Sequence, residues 1–294
     1  MNNRPEIPLN IPPGYKMDIA KTCSFIVNVA CDMCHQWIAD NKPKPEDFSW
    51  NPTDSCPITN STFPIGDWSF QALLWSTFSL EKVTEPFAII AYGSDPKTAF
   101  LAFRGTQTPE DAAMDLLTNL VTYKPPTQTP ITNAKVADGF YAVFNGFDTL
   151  KAKLSEIASK GHSLVVTGHS LGSTLATLTV PLACSVGIPS ANILHYNQAS
   201  PKVGEVNFRN YYDRLDVLQT FRLRNKYDTV PDWPDKADYV PVGVEAEYGA
   251  DYSSEPKNHN PCCSYSYALF NPTAPYNRNL DKCMTQFKPT LYTP

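Results

Sequence analysis

The sequence predicts an α/β fold, a mostly parallel central sheet with helices on both faces. One observation is order: strand-like apolar runs alternate with stretches of helical periodicity from Pro86 to Arg222, a succession that builds a parallel sheet covered on both sides. The second is a glycine-framed turn, Gly168-His169-Ser170-Leu171-Gly172, joining an apolar strand to an apolar-striped helix. The third is composition. At 294 residues, 42 % apolar and 18 % charged, the chain is too apolar for disorder and long enough to bury roughly three quarters of its unfolded surface. Its 24 basic and 29 acidic residues sum to −5, which argues against a nucleic acid as partner, since that calls for a basic field.

The elements follow in chain order. Ile19, Cys23, Ile26, Ala30, Cys34 and Trp37 recur at spacings of three and four, predicting a helix over 18–40. Residues 40–66 are rich in proline and asparagine and read as irregular surface loop. Strands are expected at Pro86–Tyr92 and Thr98–Phe103, parted by the turn Gly93-Ser94-Asp95-Pro96-Lys97. Phe140, Phe144, Phe147, Leu150, Leu154 and Ile157 mark one helix stopping near Gly161. A short buried strand, Leu164–Thr167, runs into the glycine-framed turn, and Leu171, Leu175, Leu178 and Leu182 stripe the helix after it. Strand Asn192–Tyr196, helix Phe208–Leu215 and strand Val217–Arg222 complete the alternation, with a further strand expected within Tyr239–Val244. The chain reads as one domain over 1–294: an N-terminal helix and irregular loop at 1–66, a catalytic core at 86–259 and a loop-rich tail at 260–294.

No stretch reaches the ~20 apolar residues of a membrane span, and the N-terminus has no apolar core of signal-peptide length. Seven of the eight cysteines lie near the ends: Cys23, Cys31, Cys34, Cys56, Cys262, Cys263 and Cys283. That placement suits disulfides formed in an oxidising compartment, so the expectation is an extracellular protein whose leader is absent here, with a cytosolic protein as the alternative. The sequon Asn60-Ser61-Thr62 is compatible with secretion. Cys184, alone in an apolar helix, is expected to be a buried free thiol. Cys31-Asp32-Met33-Cys34-His35 matches a haem-attachment pattern, but its residues fall in the predicted helix, where they serve as core or disulfide positions. Cys31, Cys34, Cys262 and Cys263 fit no zinc-ligand spacing. Neither a metal nor a cofactor is expected.

The chemistry centres on Ser170. A G-x-S-x-G turn between a strand and a helix holds a serine clear of the sheet and aims a helix N-terminus at developing negative charge. A serine hydroxyl becomes nucleophilic only when a histidine takes its proton and an acid orients that histidine. In such hydrolases the chain order is serine, acid, histidine. Of five histidines, His35 and His162 precede the serine, His169 abuts it and is expected to project elsewhere, and His195 lies in a strand before every candidate acid. Only His259 remains. Asp228, just past a predicted strand end, is the first choice of acid; Asp232, Asp235 and Asp238 are alternatives. Leu171 N–H, beside the nucleophile, is one expected oxyanion donor.

Four stretches now resemble a known family. They are Phe103-Arg104-Gly105-Thr106 with Asp115-Leu116; Val136–Phe140 (VADGF); Thr167–Leu175 (TGHSLGSTL); and Asn225–Pro231 (NKYDTVP). With Ser200-Pro201-Lys202-Val203-Gly204 they are similar to the class 3 lipases of the α/β-hydrolase superfamily, which include secreted fungal lipases and feruloyl esterases. The resemblance implies the α/β-hydrolase fold, Asp228 as the acid, His259 as the histidine and Thr106 as second oxyanion donor. Two departures stand out: the family's V-H-x-G-F lacks its histidine here, and Ser173 replaces a usual glycine.

Thr108 and Pro109 with Glu110 and Asp111 form a helix start, followed by an apolar side of Ala112, Ala113, Met114, Leu116 and Leu117. In the resembling family this segment is the lid, so Pro109, Ala113, Met114, Leu116 and Leu117 are expected to contact substrate. A lid with an apolar underside suits water-insoluble esters at an oil–water boundary. The expectation is a monomeric serine carboxyl-ester hydrolase, a lipase acting on acylglycerols. A feruloyl-type esterase or phospholipase on the same fold is the alternative, and an inactive binding protein a third reading.

Overall fold

The computed structural model of the chain describes residues 6–78, 83–106, 119–126 and 133–273. Eight strands form the main sheet: β1 (Ile7–Asn10), β2 (Ser69–Phe78), β3 (Val83–Tyr92), β4 (Thr98–Phe103), then β7 (Ser163–His169), β8 (Ile193–Gln198), β10 (Gln219–Asn225) and β12 (Val244–Gly249). Their spatial order is β1-β12-β10-β8-β7-β4-β3-β2. Strands β4, β7, β8, β10 and β12 run parallel, with antiparallel pairs at both edges. This is the α/β-hydrolase fold that the resemblance implies. A smaller antiparallel sheet gathers β5 (Leu120–Thr122), β6 (Lys135–Ala137), β9 (Gly204–Glu205) and β11 (Tyr239–Val240).

The central strands are buried on both faces, and the period of two divides their side chains between two cores. In β4, Ala99, Leu101 and Phe103 enter one core while Phe100 and Ala102 enter the other; in β7, Leu164 and Val166 oppose Val165 in the same way. Helices α2 (Asp138–Asn145), α3 (Leu150–Ser159), α4 (Leu171–Ser185) and α5 (Val206–Asp213) cover the first face. Helix α1 (Met17–Ala39) and the segment Pro261–Phe270 cover the second. No charged residue interrupts α1 between Cys23 and Cys31, so Phe25, Ile26, Val27 and Val29 are wholly buried. Each such side chain contributes about 1.5–3 kcal/mol.

Three expectations need correction. The single helix predicted through Phe140–Ile157 is two helices, because the chain breaks at Gly146 to meet β2: Thr77 N–H donates to Gly146 O (3.1 Å) and Ser76 Oγ to Val143 O (2.6 Å). The strand expected within Tyr239–Val244 divides between the small sheet and the main one. Among the cysteines, Cys23, Cys31 and Cys34 are buried free thiols, and Cys184 is free but only half-buried. Both thiols of the haem-like pattern therefore belong to the α1 core.

Cys56 and Cys262 form a disulfide across 206 residues of sequence, and Cys263 is also disulfide-bonded. Cross-linking so long a loop removes much unfolded-state entropy. Cys56→Ser/Cys262→Ser is expected to lose about 2–5 kcal/mol, read as a lower urea midpoint by tryptophan fluorescence.

Candidate active site

The parallel strands deliver their carboxyl ends to one rim, the place where open α/β sheets bind ligands. Ser170 follows β7, Gly105 and Thr106 follow β4, Asp228 follows β10, and His259 lies beyond β12. At the elbow Ser170 has φ 57° and ψ −129°, a conformation costing a non-glycine residue about 1–3 kcal/mol. Ser170 N–H donates to Gln198 O (3.1 Å) and Ser170 O accepts Ser173 N–H (2.9 Å), which hold the turn in place. The flanking glycines are steric necessities. A Cβ at Gly168 would lie 2.3 Å from the Gly172 backbone, and one at Gly172 would lie 2.3 Å from Phe103 O. Ser173, the residue where the family carries glycine, has its Oγ 2.7 Å from both Gly168 O and Gln198 O, tightening the helix onto two strands.

On the β4 side, Arg104 is buried beneath the loop that carries Thr106. Its Nε donates to Pro86 O (2.7 Å), Nη1 to Gly105 O (2.8 Å) and Nη2 to Glu85 Oε2 (2.6 Å). The guanidinium also lies over the Phe87 ring, 4.1 Å from its centre. Gly105 is packed against the elbow serine: a Cβ there would stand 3.1 Å from Ser170 Cβ. The Cys31 thiol accepts from Gly105 N–H, and burial pushes its pKa up to about 12, so it serves as an inert packing group. Leu171 opens α4, and the first N–H groups of a helix have no intrahelical partner.

The acid–base pair sits on a buried asparagine brace. Asn225 Nδ2 donates to Ala250 O (2.9 Å) and Asn258 O (3.2 Å), and its Oδ1 accepts Ala250 N–H (3.0 Å). These bonds tie the ends of β10 and β12 to helix α6 (Glu255–Asn258), whose C-cap is His259. His259 Nδ1 lies 2.8 Å from Asp228 Oδ2, with the Asp228 side chain fully buried and the imidazole 17 % exposed. Tyr265 Oη donates to the same oxygen (2.5 Å), and Val230 N–H donates to Oδ1 (3.0 Å). Burial would raise the Asp228 pKa, but the His259 charge and the bonds from His259, Tyr265 and Glu255 outweigh it and hold the carboxyl below its usual range.

His169 departs from expectation. It does not project away from the site; its ring centre lies 4.6 Å from that of His259 and 5.4 Å from that of Tyr265. It is held neutral by burial first and the neighbouring His259 second, which drive its pKa well below the usual histidine value, and it hydrogen-bonds the His259 backbone. His169 thus links the elbow residue before Ser170 to the candidate base. The other histidines lie elsewhere: His195 Nδ1 is 2.6 Å from Tyr212 Oη, its pKa pushed down to about 3 by burial, His162 packs edge-on to Tyr92, and His35 faces Asp32. Of the alternative acids, Asp232 is exposed and pairs with Arg224 (2.6 Å), and Asp235 and Asp238 are exposed. The lid positions Pro109, Ala113, Met114, Leu116 and Leu117 lie outside the described residues.

Tyr265, Glu255 and His169 are site residues that sequence reasoning missed. Only His169 carried a signal, its place beside the nucleophile. Among the described residues there is no His/Cys/Asp/Glu cluster suited to a metal, and no helix is long and apolar enough to cross a membrane.

The chain is similar to known proteins over this region. Residues 100–237 match the family described as Lipase (class 3). A lipase from Rhizomucor miehei is 29 % identical over 175 residues, 55 % of this chain and 44 % of that one. A phospholipase A1-II from Oryza sativa subsp. indica is 38 % identical over 84 residues, 28 % of this chain and 21 % of that one. The chain thus spans less than half the length of either relative. The structure of the Rhizomucor miehei lipase–propeptide complex superposes with a TM-score of 0.61 at 23 % identity, covering 84 % of this chain and 73 % of that one. Residues 100–237, which hold the elbow and the candidate acid, are thus similar to the class 3 lipases, and the likeness to the solved structure extends to the fold of most of the chain.

Proposed function

We propose that the protein is a serine carboxyl-ester hydrolase, a lipase acting on acylglycerols. The observation that carries the reading is the buried Asp228 carboxylate bonded to His259 Nδ1 (2.8 Å), with His169 linking that imidazole to the strained Ser170 elbow. With Nδ1 bound to Asp228, Nε2 is the nitrogen left for the serine proton. Ser170 Oγ attacks the ester carbonyl carbon as its proton passes to His259. The oxyanion accepts from Leu171 N–H and Thr106 N–H, a donor set whose single members are worth about 10²–10³ in rate. The tetrahedral adduct collapses, the alcohol leaves with the His259 proton, and water activated by the same imidazole releases the acid. Asp228 orients the ring and balances its transient positive charge. No step needs a metal or cofactor.

A fluorophosphonate probe tests the assignment. It is expected to add one phosphonyl group to the peptide containing Ser170, and label on any other residue refutes it. Substrate class is a separate question, because the plant phospholipase A1 similarity favours a second reading in which the ester belongs to a phospholipid. Relative rates on emulsified triolein, tributyrin, methyl ferulate and phosphatidylcholine vesicles decide between them, with triolein and tributyrin expected to lead. The fungal lipase relative and the disulfide support a secreted protein, and the proposal takes it as a monomer meeting its substrate at an oil–water boundary.

A further inference from the structure

Glu255 touches both halves of the acid–base pair, although neither half requires it. It opens α6, four residues before His259. Its Oε1 accepts Thr229 N–H (2.7 Å), its backbone carbonyl accepts His259 N–H (2.9 Å), and its carboxyl is hydrogen-bonded to that of Asp228. Asp228 already takes His259 and Tyr265 on Oδ2 and Val230 N–H on Oδ1, so it is the carboxyl surrounded by donors and the one that stays ionised. A second carboxyl can bond to it only by supplying a proton.

We propose that Glu255 is a positioning residue for the catalytic pair: its neutral carboxyl donates to the Asp228 carboxylate while accepting from Thr229 N–H, locking the helix that carries His259 onto the loop that carries Asp228. The inference rests on the assignment of Asp228 and His259 given above. Glu255 is half-buried, whereas Asp228 is sealed from water. Burial, followed by Asp228 acting against the Thr229 bond, raises the Glu255 pKa to about 7. The charged and titratable groups around it are Asp228, with His259 and Tyr265 bonded to that carboxylate, and Lys257 on its own helix. While Glu255 keeps its proton, one negative charge faces the imidazole through a braced carboxylate. When it loses the proton, two carboxylates repel and the brace opens, although the Thr229 contact can persist.

Glutamine reproduces the neutral connectivity at every pH: its amide nitrogen donates to Asp228 and its oxygen accepts from Thr229. The experiment measures kcat and KM for p-nitrophenyl butyrate from pH 5.5 to 8.5 with the full chain, Glu255→Gln and Glu255→Ala, together with fluorophosphonate labelling. Loss of a hydrogen bond to a charged group predicts a kcat about tenfold lower for Glu255→Ala at pH 6 with little change in KM, and Glu255→Gln is expected to recover most of that loss. The ratio of kcat for Glu255→Gln to wild type is expected to climb about three- to tenfold as pH rises through 7, because only the wild type loses its donor. A purely structural role lowers activity equally at all pH values, so a flat ratio overturns the proposal, as does a Glu255→Ala enzyme matching wild type. If Glu255→Ala does not fold, the glutamine ratio alone carries the test. Label on Ser170 alongside a flat ratio refutes this inference only; label absent from Ser170 in the wild type refutes the serine assignment and this inference with it.

Discussion

Asp228→Asn is expected to lower kcat for ester hydrolysis about 10⁴-fold, as loss of the orienting carboxylate does in a serine triad, with KM changed by less than about threefold because the residue touches no substrate. Every partner of Asp228 is a donor or needs a negative neighbour: His259 and Tyr265 at Oδ2, Val230 N–H at Oδ1, and Glu255. An asparagine has one acceptor oxygen where the carboxylate has two. Turned so that its NH₂ replaces Oδ2, it confronts the Tyr265 hydroxyl and drives the imidazole to the tautomer whose Nε2 already holds a proton. Turned the other way, its NH₂ opposes Val230 N–H. In both orientations the charge that balances the imidazolium is gone. The check is kcat on p-nitrophenyl butyrate, with Asp232→Asn alongside. Asp232 is exposed and paired with Arg224, so that variant is expected to stay within about twofold of wild type, since surface substitutions away from a site change little. An Asp228→Asn enzyme within tenfold of wild type removes Asp228 from the mechanism.

Arg104→Met is expected to cost about 3 kcal/mol of stability, the low end of the penalty for breaking a buried ion pair, because Arg104 is buried while Glu85 is partly exposed. For a chain of this size that lowers Tm by about 5–10 °C, read by calorimetry. Methionine fills much of the volume but leaves Pro86 O and Gly105 O without their donors and Glu85 without its cation. Gly105 O belongs to the loop that carries Thr106, so kcat is expected to fall as well. Adding Glu85→Gln is expected to recover part of the lost stability, because the stranded carboxylate accounts for much of the penalty. The same second substitution is expected to restore little activity, because the Gly105 carbonyl remains unheld. Full recovery of both by the double variant contradicts this division of roles.

The sequence carried the centre of the fold better than its margins. Strand β4 and helix α1 were readable to within a residue or two because each is apolar in a pattern its own length can display. Strand β2 was not: its register shifts between Phe70 and Ala72 and again between Leu74 and Trp75, and each bulge breaks the alternation that marks a strand. Strand β1 is four residues containing a proline, too short for a period. The break between α2 and α3 is invisible in the apolar spacing, which runs through Phe147 without interruption. Hydrogen bonds from the Ser76 hydroxyl and the Thr77 N–H, some seventy residues earlier, decide it. The site divides in the same way. Ser170 and His259 became candidates through a local motif, chain order and elimination, whereas Asp228 stood among four acids until the family resemblance singled it out. Tyr265 and Glu255 bond to Asp228 across 37 and 27 residues, and nothing near them in the sequence encodes that contact. His169 was visible, but its direction depends on where α6 packs.

Cys262 lies three residues beyond His259, and its bond to Cys56 acts on more than the unfolded chain. On the proposed mechanism it makes the His259 imidazole a tethered reagent. Any loosening of the segment around α6 would leave it confined by the cross-link to a small volume at the sheet rim, which would keep the effective molarity of the imidazole near Ser170 high. A histidine that caps a helix of only four residues would in this way be kept in register by a covalent bond three residues on.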